Sequence, residues 1–137
     1  MKKDDVSHLN VLGNKKTEYK FDTPSENILE VFQNQFVGIK YEIEIITSEF
    51  TSLCPKTSQP DYATITIRYI PDQSCIETKS LKLYLFSFRS HPSFMETINN
   101  TILFDLVKVC GPLSMVVLSE FNSRGGIKLN VKSSYEK

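Results

Sequence analysis

Glycine is scarce in this chain, with five in 137 residues. None is spaced as a phosphate-cradling loop, so a Rossmann crevice or a P-loop is excluded. Neither sign of charge is in excess: Lys+Arg 16 balance Asp+Glu 16. Bulk electrostatics therefore gives no support to direct binding of nucleic acid or of an anionic membrane. No apolar stretch approaches the ~20 residues of a bilayer-spanning helix, and Met1-Lys2-Lys3-Asp4-Asp5 lacks the apolar segment of a signal peptide. The two histidines, His8 and His91, stand apart from any cysteine or carboxylate pattern suited to zinc, and no metal is expected. His91, beside Pro92 in a turn, reads as a surface residue rather than the base of a Cys–His pair. Cysteine is present three times, at 54, 75 and 110, an odd number without metal-ligand spacing. That pattern suggests reduced thiols in a cytoplasmic protein rather than a disulfide frame.

What is present suits one domain. The length supports a single core but not two, and 40% hydrophobic with 23% charged residues is ordinary globular composition. Residues 1–20 are polar and read as an N-terminal arm, leaving 21–137 as the domain. From Phe21 to Gly38, turn signals at Thr23-Pro24-Ser25 precede a short helical pattern of Ile28, Leu29, Val31 and Phe32. Tyr41 to Ile45 alternates apolar and charged residues, as a half-buried strand does. Tyr62 to Ile70 is β-branched and alternating, and Pro71-Asp72 ends it. Lys79 to Phe88 reads as a helix. Ser93 opens a clearer one, because Phe94, Ile98, Ile102 and Leu106 recur every four residues and Gly111-Pro112 stops it. Leu113 to Phe121 and Ile127 to Val131 read as strands joined by a turn at Arg124-Gly125-Gly126. The order strand-strand-helix-helix-strand-strand implies an α+β domain, an antiparallel sheet with helices on one face.

Chemistry concentrates around Cys54, in the run Glu49 to Thr57, with Asp61 just beyond Gln59-Pro60. A thiol and a carboxylate bracketing a proline-pinned loop suit a nucleophile and a proton donor. An ordinary thiol, with a pKa of roughly 8.5, is mostly protonated near neutrality; Lys56 or backbone N–H groups of the loop would lower it. Cys110, in an apolar helical pattern, reads as a small buried hydrophobe, and Cys75 as a core or edge-strand residue. Lys79 and Lys82, three apart, share one helix face and suit phosphates as point charges, although such a pair is equally a solvated surface. Ser93-Phe94-Met95-Glu96 matches a capping box, which makes Glu96 a helix cap as readily as a ligand.

These segments resemble a known family. Glu49 to Thr57, Gln59-Pro60-Asp61, the octapeptide Glu77 to Tyr84, and Tyr84 to Arg89 look like the NADPH-dependent 7-cyano-7-deazaguanine reductases. These are the QueF-type nitrile reductases of queuosine biosynthesis, in their short, single-module form. The resemblance runs from Leu12-Gly13-Asn14 through Arg124-Gly125-Gly126. It implies the tunnelling fold, whose units assemble into oligomeric barrels, here a homodecamer of two stacked pentamers with active sites between subunits. It implies that Cys54 attacks the nitrile carbon to form a thioimide and that Asp61 supplies a proton. Two NADPH per turnover then complete the reduction to the aminomethyl product. Lys79, Ser80 and Lys82 would hold cofactor phosphates, with Arg124 as a helper. Ile76, Glu77, Thr78, Met95 and Glu96 would line the substrate pocket, the Glu96 carboxylate facing ring N–H donors.

The sequence departs from the family pattern at Met95, where the family carries His. A thioether cannot donate a proton, so either Asp61 and water carry the proton transfers or turnover is slowed. The alternative is a tunnelling-fold relative that binds the nitrile without reducing it, or adds ammonia to the thioimide; the two lysines argue against the ammonia-adding form.

Overall fold

The computed structural model describes residues 2–11, 13, 18, 19 and 22–137. The arm boundary at Lys20, the domain start at Phe21, and Leu12 and Asn14 of the family motif lie outside the described residues. Six strands and two α-helices are described: β1 (Val31–Gln33), β2 (Ile43–Leu53), β3 (Pro60–Ile70), β4 (Ser74–Ile76), α1 (Thr78–Phe86), α2 (Met95–Cys110), β5 (Ser114–Phe121) and β6 (Asn130–Glu136). The main sheet is antiparallel in the order β2-β3-β5-β6, and β1 pairs with β4 in a small second sheet. The α+β reading and the strand-strand-helix-helix-strand-strand order therefore hold for the main sheet, with β1 and β4 added.

Alternation explains the sheet's two faces. In β3 the buried side chains are Asp61, Ala63, Ile65, Ile67 and Tyr69, and in β5 they are Met115, Val117, Ser119 and Phe121. Their period of two puts one row against the helices. α2 answers with Ile98, Ile102, Leu106 and Cys110, an apolar stripe at helical spacing. Polar ties fix the layers: the Asn99 amide donates to the Val117 carbonyl (3.2 Å) and the Ser133 hydroxyl (3.0 Å), and the Ser119 hydroxyl donates to Asn99 Oδ1 (2.6 Å). The buried Tyr84 hydroxyl donates to Asp105 Oδ2 at 2.6 Å, joining the two helices.

Three expectations need correction. The helical pattern over Ile28 to Phe32 yields only a 3-10 turn at Glu26–Ile28, followed by a strand in which Val31 pairs with Ile76 and Phe32 with Cys75. So short a segment cannot repay helix nucleation, and its β-branched and aromatic residues find strand partners instead. The capping box does not form either. Ser93 donates its backbone N–H to the Leu53 carbonyl (3.0 Å), the helix starts one residue later with Phe94 as N-cap, and no side chain caps it. The last strand begins at Asn130 rather than Ile127.

Two local devices set the positions of chemical groups. Between Thr47 and Phe50 the β2–β3 register shifts, three steps on β2 facing two on β3. This bulge inverts the side-chain alternation, so that Phe50 and Ser52 join the core face opposite Ala63 and Asp61. At the other hairpin, Arg124 and Ile127 exchange both backbone hydrogen bonds at 2.9 Å across Gly125 (φ 58°) and Gly126 (φ 79°). A two-residue turn with positive φ at both positions is where glycine is required. Space around Gly126 is open, so Gly126→Val would act through backbone strain alone. The expected loss is about 1–2 kcal/mol in a urea titration, with the Arg124 end of the hairpin displaced.

Candidate active site around Cys54

Cys54 closes the β2–β3 hairpin. Its N–H donates to the Gln59 carbonyl (2.9 Å), and its carbonyl accepts the N–H of Ser58 (3.0 Å), a residue in the left-handed region at φ 59°. Leu53 pairs with Pro60 and Ser52 with Asp61, so Asp61 lies at the start of β3 rather than in a loop. Pro60 is tolerated there as the first residue of the strand. The Thr51 hydroxyl donates to the Asp61 carbonyl at 2.8 Å.

The turn makes an acidic thiol. Cys54 is lowered from 9.0 to about 7, first by the Thr57 hydroxyl, then by the N–H groups of Thr57 and Lys56, with Arg124 adding a smaller contribution. The loop's own donors form the concavity that stabilises the thiolate. The Lys56 ammonium, proposed as an alternative from the sequence, is not among these causes. The other thiols differ: burial pushes Cys110 up to about 12, and its Sγ donates to the Ser74 carbonyl at 3.2 Å. Cys75 is buried beside the Tyr41 hydroxyl at 3.7 Å. Cys75 and Cys110 lie at the Tyr69 end of β3, because the Tyr69 hydroxyl accepts the N–H of neighbouring Ile76. Tyr69 lies eight steps along the strand from Asp61, roughly 25 Å, which excludes a disulfide between Cys54 and either thiol within one chain.

Asp61 is buried and ion-paired. Arg124 Nη1 donates to Asp61 Oδ1 at 2.9 Å and Nη2 to Gln59 Oε1 at 3.0 Å. The carboxylate side chain is 3% exposed and the arginine 34%. Arg124 thus stands on the thiol–acid hairpin. Beside Asp61, the fully buried Ser52 hydroxyl has no hydrogen-bond partner among the described residues. Sequence reading missed Ser52, since only the bulge brings it to this face.

A second connection brings in the α2 entrance. Leu53 N–H donates to the His91 carbonyl (3.5 Å), and Leu53 bridges Pro92 in parallel. Met95 is half-buried and packs on the core. Glu96 is exposed, and no hydrogen bond or ion pair among the described residues engages its carboxylate.

The remaining candidates gather elsewhere. Ile76, Glu77 and Thr78 line a hollow of about 330 Å³ with Ile43, Ile45 and Tyr69. The Glu77 carboxylate caps α1, its two oxygens accepting the N–H groups of Lys79 and Ser80 at 2.7 Å each. Ser80 is fully buried: its hydroxyl donates to the Glu77 carbonyl (2.8 Å) and accepts the Glu30 N–H (2.9 Å). It anchors the helix start. Lys82 lies on an adjoining groove of about 710 Å³ that also has Thr78, Phe86 and Arg89 in its walls. Ile45 and Thr78 border both hollows. Eight strand residues lie between Ile45 and Cys54, and the Lys82 groove runs along them as far as Phe50 and Thr51.

The thiol gives a direct test. Alkylation of Cys54 by iodoacetamide should rise with pH about a midpoint near 7. Thr57→Val should move that midpoint up by about a unit, by removing the main donor. An unchanged profile in that variant would contradict the assigned cause.

Known proteins carry the same pattern. A family model described as QueF-like protein matches residues 60–137. A protein of Nitratidesulfovibrio vulgaris named NADPH-dependent 7-cyano-7-deazaguanine reductase is 52% identical over 128 residues, 93% of this chain and 77% of its own length. Proteins of the same name from Chlorobaculum parvum (54% identical, 81% of this chain and 96% of theirs) and Streptococcus mutans (48%, 98% and 83%) are also similar. The solved apo structure of the archaeosine synthase QueF-Like superposes with a TM-score of 0.64 at 18% identity, over 68% of this chain and 91% of that one. The last likeness shows the fold. The family-model match over residues 60–137 and the relatives' matches over most of the chain show that it belongs to the QueF family of NADPH-dependent 7-cyano-7-deazaguanine reductases.

Proposed function

We propose that this protein reduces the nitrile of 7-cyano-7-deazaguanine to the aminomethyl group with NADPH, serving queuosine formation in the cytoplasm, and that residues 21–137 form the reductase domain. The observation that carries this reading is the acidic Cys54 thiol, on the hairpin that also holds the buried Asp61. The thiolate attacks the nitrile carbon, a C–S bond forms, and one π pair of the nitrile moves to nitrogen, which takes a proton to give a thioimide. NADPH, when bound, supplies hydride. After the first reduction, collapse of the adduct expels the Cys54 thiolate and leaves an imine, which the second hydride and proton convert to the amine. Met95 offers no proton at this site, so Asp61 and water serve these steps.

Lys79 and Lys82 suit the cofactor's phosphates, and the groove beside Lys82 fits the rest of such a molecule. Its apolar wall includes Leu81, Leu85 and Phe86, and the Tyr19 ring stacks edge-on against Phe86 with centroids 4.7 Å apart. Ser80 supports them by fixing the start of α1. The free Glu96 carboxylate suits paired N–H donors of a deazaguanine. Glu96 borders a hollow on α2 that shares no lining residue with the Ile76–Thr78 hollow. A second copy of the chain would therefore complete each site, as a tunnelling-fold barrel of stacked rings would arrange.

The test is NADPH consumption and product mass with purified protein and 7-cyano-7-deazaguanine. Two NADPH should disappear per aminomethyl product, and Cys54→Ala should abolish turnover. Thr78→Trp, which fills the hollow, should also be inactive alone, yet mixing subunits of the two variants should restore part of the rate. Absence of NADPH consumption by the unaltered protein would overturn the reductase; absence of recovery in mixtures would overturn the shared site.

A further inference from the structure

The guanidinium of Arg124 is committed to the hairpin that carries the thiol. We propose that Arg124 belongs to the thiol centre rather than to the cofactor's phosphates, holding Asp61 in place and favouring the Cys54 thiolate that attacks the nitrile. This rests on the nitrile-reductase reading of the site.

The geometry supports the assignment. The guanidinium is held by two side chains of the Cys54 hairpin, Asp61 at 2.9 Å and Gln59 at 3.0 Å. Its backbone is fixed by the two hydrogen bonds across Gly125-Gly126. The Asn122 N–H also donates to the Tyr62 carbonyl at 2.8 Å, pinning the hairpin's base beside β3. In this chain Arg124 is absent from the walls of the groove that holds Lys82. Arg124 is also among the groups that lower the Cys54 pKa, behind the turn's own donors. The neighbouring charged and titratable groups are Lys56 on the same turn, Asp61 and exposed Tyr62 from β3, and His91 on the segment bonded to Leu53, which leads on to Glu96.

Attack balances from the thiolate: the sulfur pair forms the S–C bond, one π pair of the nitrile moves to nitrogen, and a proton taken up there gives the neutral thioimide. Arg124 acts as a positioning residue, fixing Asp61 and favouring the anionic form of Cys54.

Arg124→Gln and Arg124→Lys, both checked for native melting behaviour, separate the two roles. With Gln, the midpoint of iodoacetamide alkylation should rise above the unaltered protein's, and adduct formation with the nitrile in the absence of NADPH should slow about tenfold or more. The KM for NADPH should stay within about threefold. Lys should recover part of the alkylation profile and of the adduct rate. The proposal is overturned if Gln leaves alkylation and adduct formation unchanged while the NADPH KM rises about tenfold, the behaviour of a phosphate ligand. Alkylation needs no substrate, so it decides on Arg124 even if the unaltered protein forms no adduct, a result that would instead sink the nitrile reading.

Discussion

The pairing of β2 with β3 is the constraint on which the chemistry rests, because its register decides which side chains share a face. One extra residue between Thr47 and Phe50 inverts the alternation near the end of β2. Before the bulge, Ile43, Ile45 and Thr47 face the helices; after it, Phe50 and Ser52 do. Phe50 then meets Phe88 and Phe121 with ring centroids 5.7 and 6.5 Å away, anchoring the strand two residues before Ser52 pairs with Asp61. The turn that follows needs only six residues, Cys54 to Gln59, to return the chain. A slip of one residue would expose Phe50 and part the thiol from its partners.

The electrostatics of the hairpin follow from that backbone. Thr57 and two N–H groups surround a half-buried thiol, and its acidity comes from hydrogen bonding to the anion, against the opposing effect of burial. Asp61 is in the opposite situation, nearly inaccessible and compensated by Arg124. A buried carboxylate without that partner would be costly, which ties the β5–β6 hairpin to the β2–β3 hairpin in energy as well as in function. Ser52 adds a buried hydroxyl with no partner among the described residues at the same place. Such unsatisfied groups are uncommon in folded proteins, and this one sits on the face from which Asp61 works.

Much of this was legible in the sequence, for physical reasons that differ by residue. The α+β order was readable because β3 and α2 alternate cleanly with periods of two and about four, and because Gly111 ends α2 in the left-handed region at φ 58°. Cys54 and Asp61 stood out through their proline-pinned neighbourhood, and the Gly125-Gly126 turn through its glycine pair. The capping box at Ser93 misled because a tertiary bond to Leu53 diverted the residue that would have capped. Glu77 takes a cap instead, on α1, and Ser80 proved to be an internal fastener whose burial no local pattern announces. Arg124's partners also lay out of reach, since they come from a strand more than sixty residues earlier. The bulge is a property of pairing, so neither it nor the placing of Ser52 could be read from one strand alone.

The central claim is that Cys54, and neither of the buried thiols, bonds to the substrate's nitrile carbon. The most direct measurement is intact-mass and peptide mass spectrometry of the protein incubated with 7-cyano-7-deazaguanine and no NADPH. The account predicts one added nitrile mass per chain, carried by the peptide containing Cys54 and discharged when NADPH is supplied. An unmodified chain, or a modification mapped to Cys75 or Cys110, would contradict it.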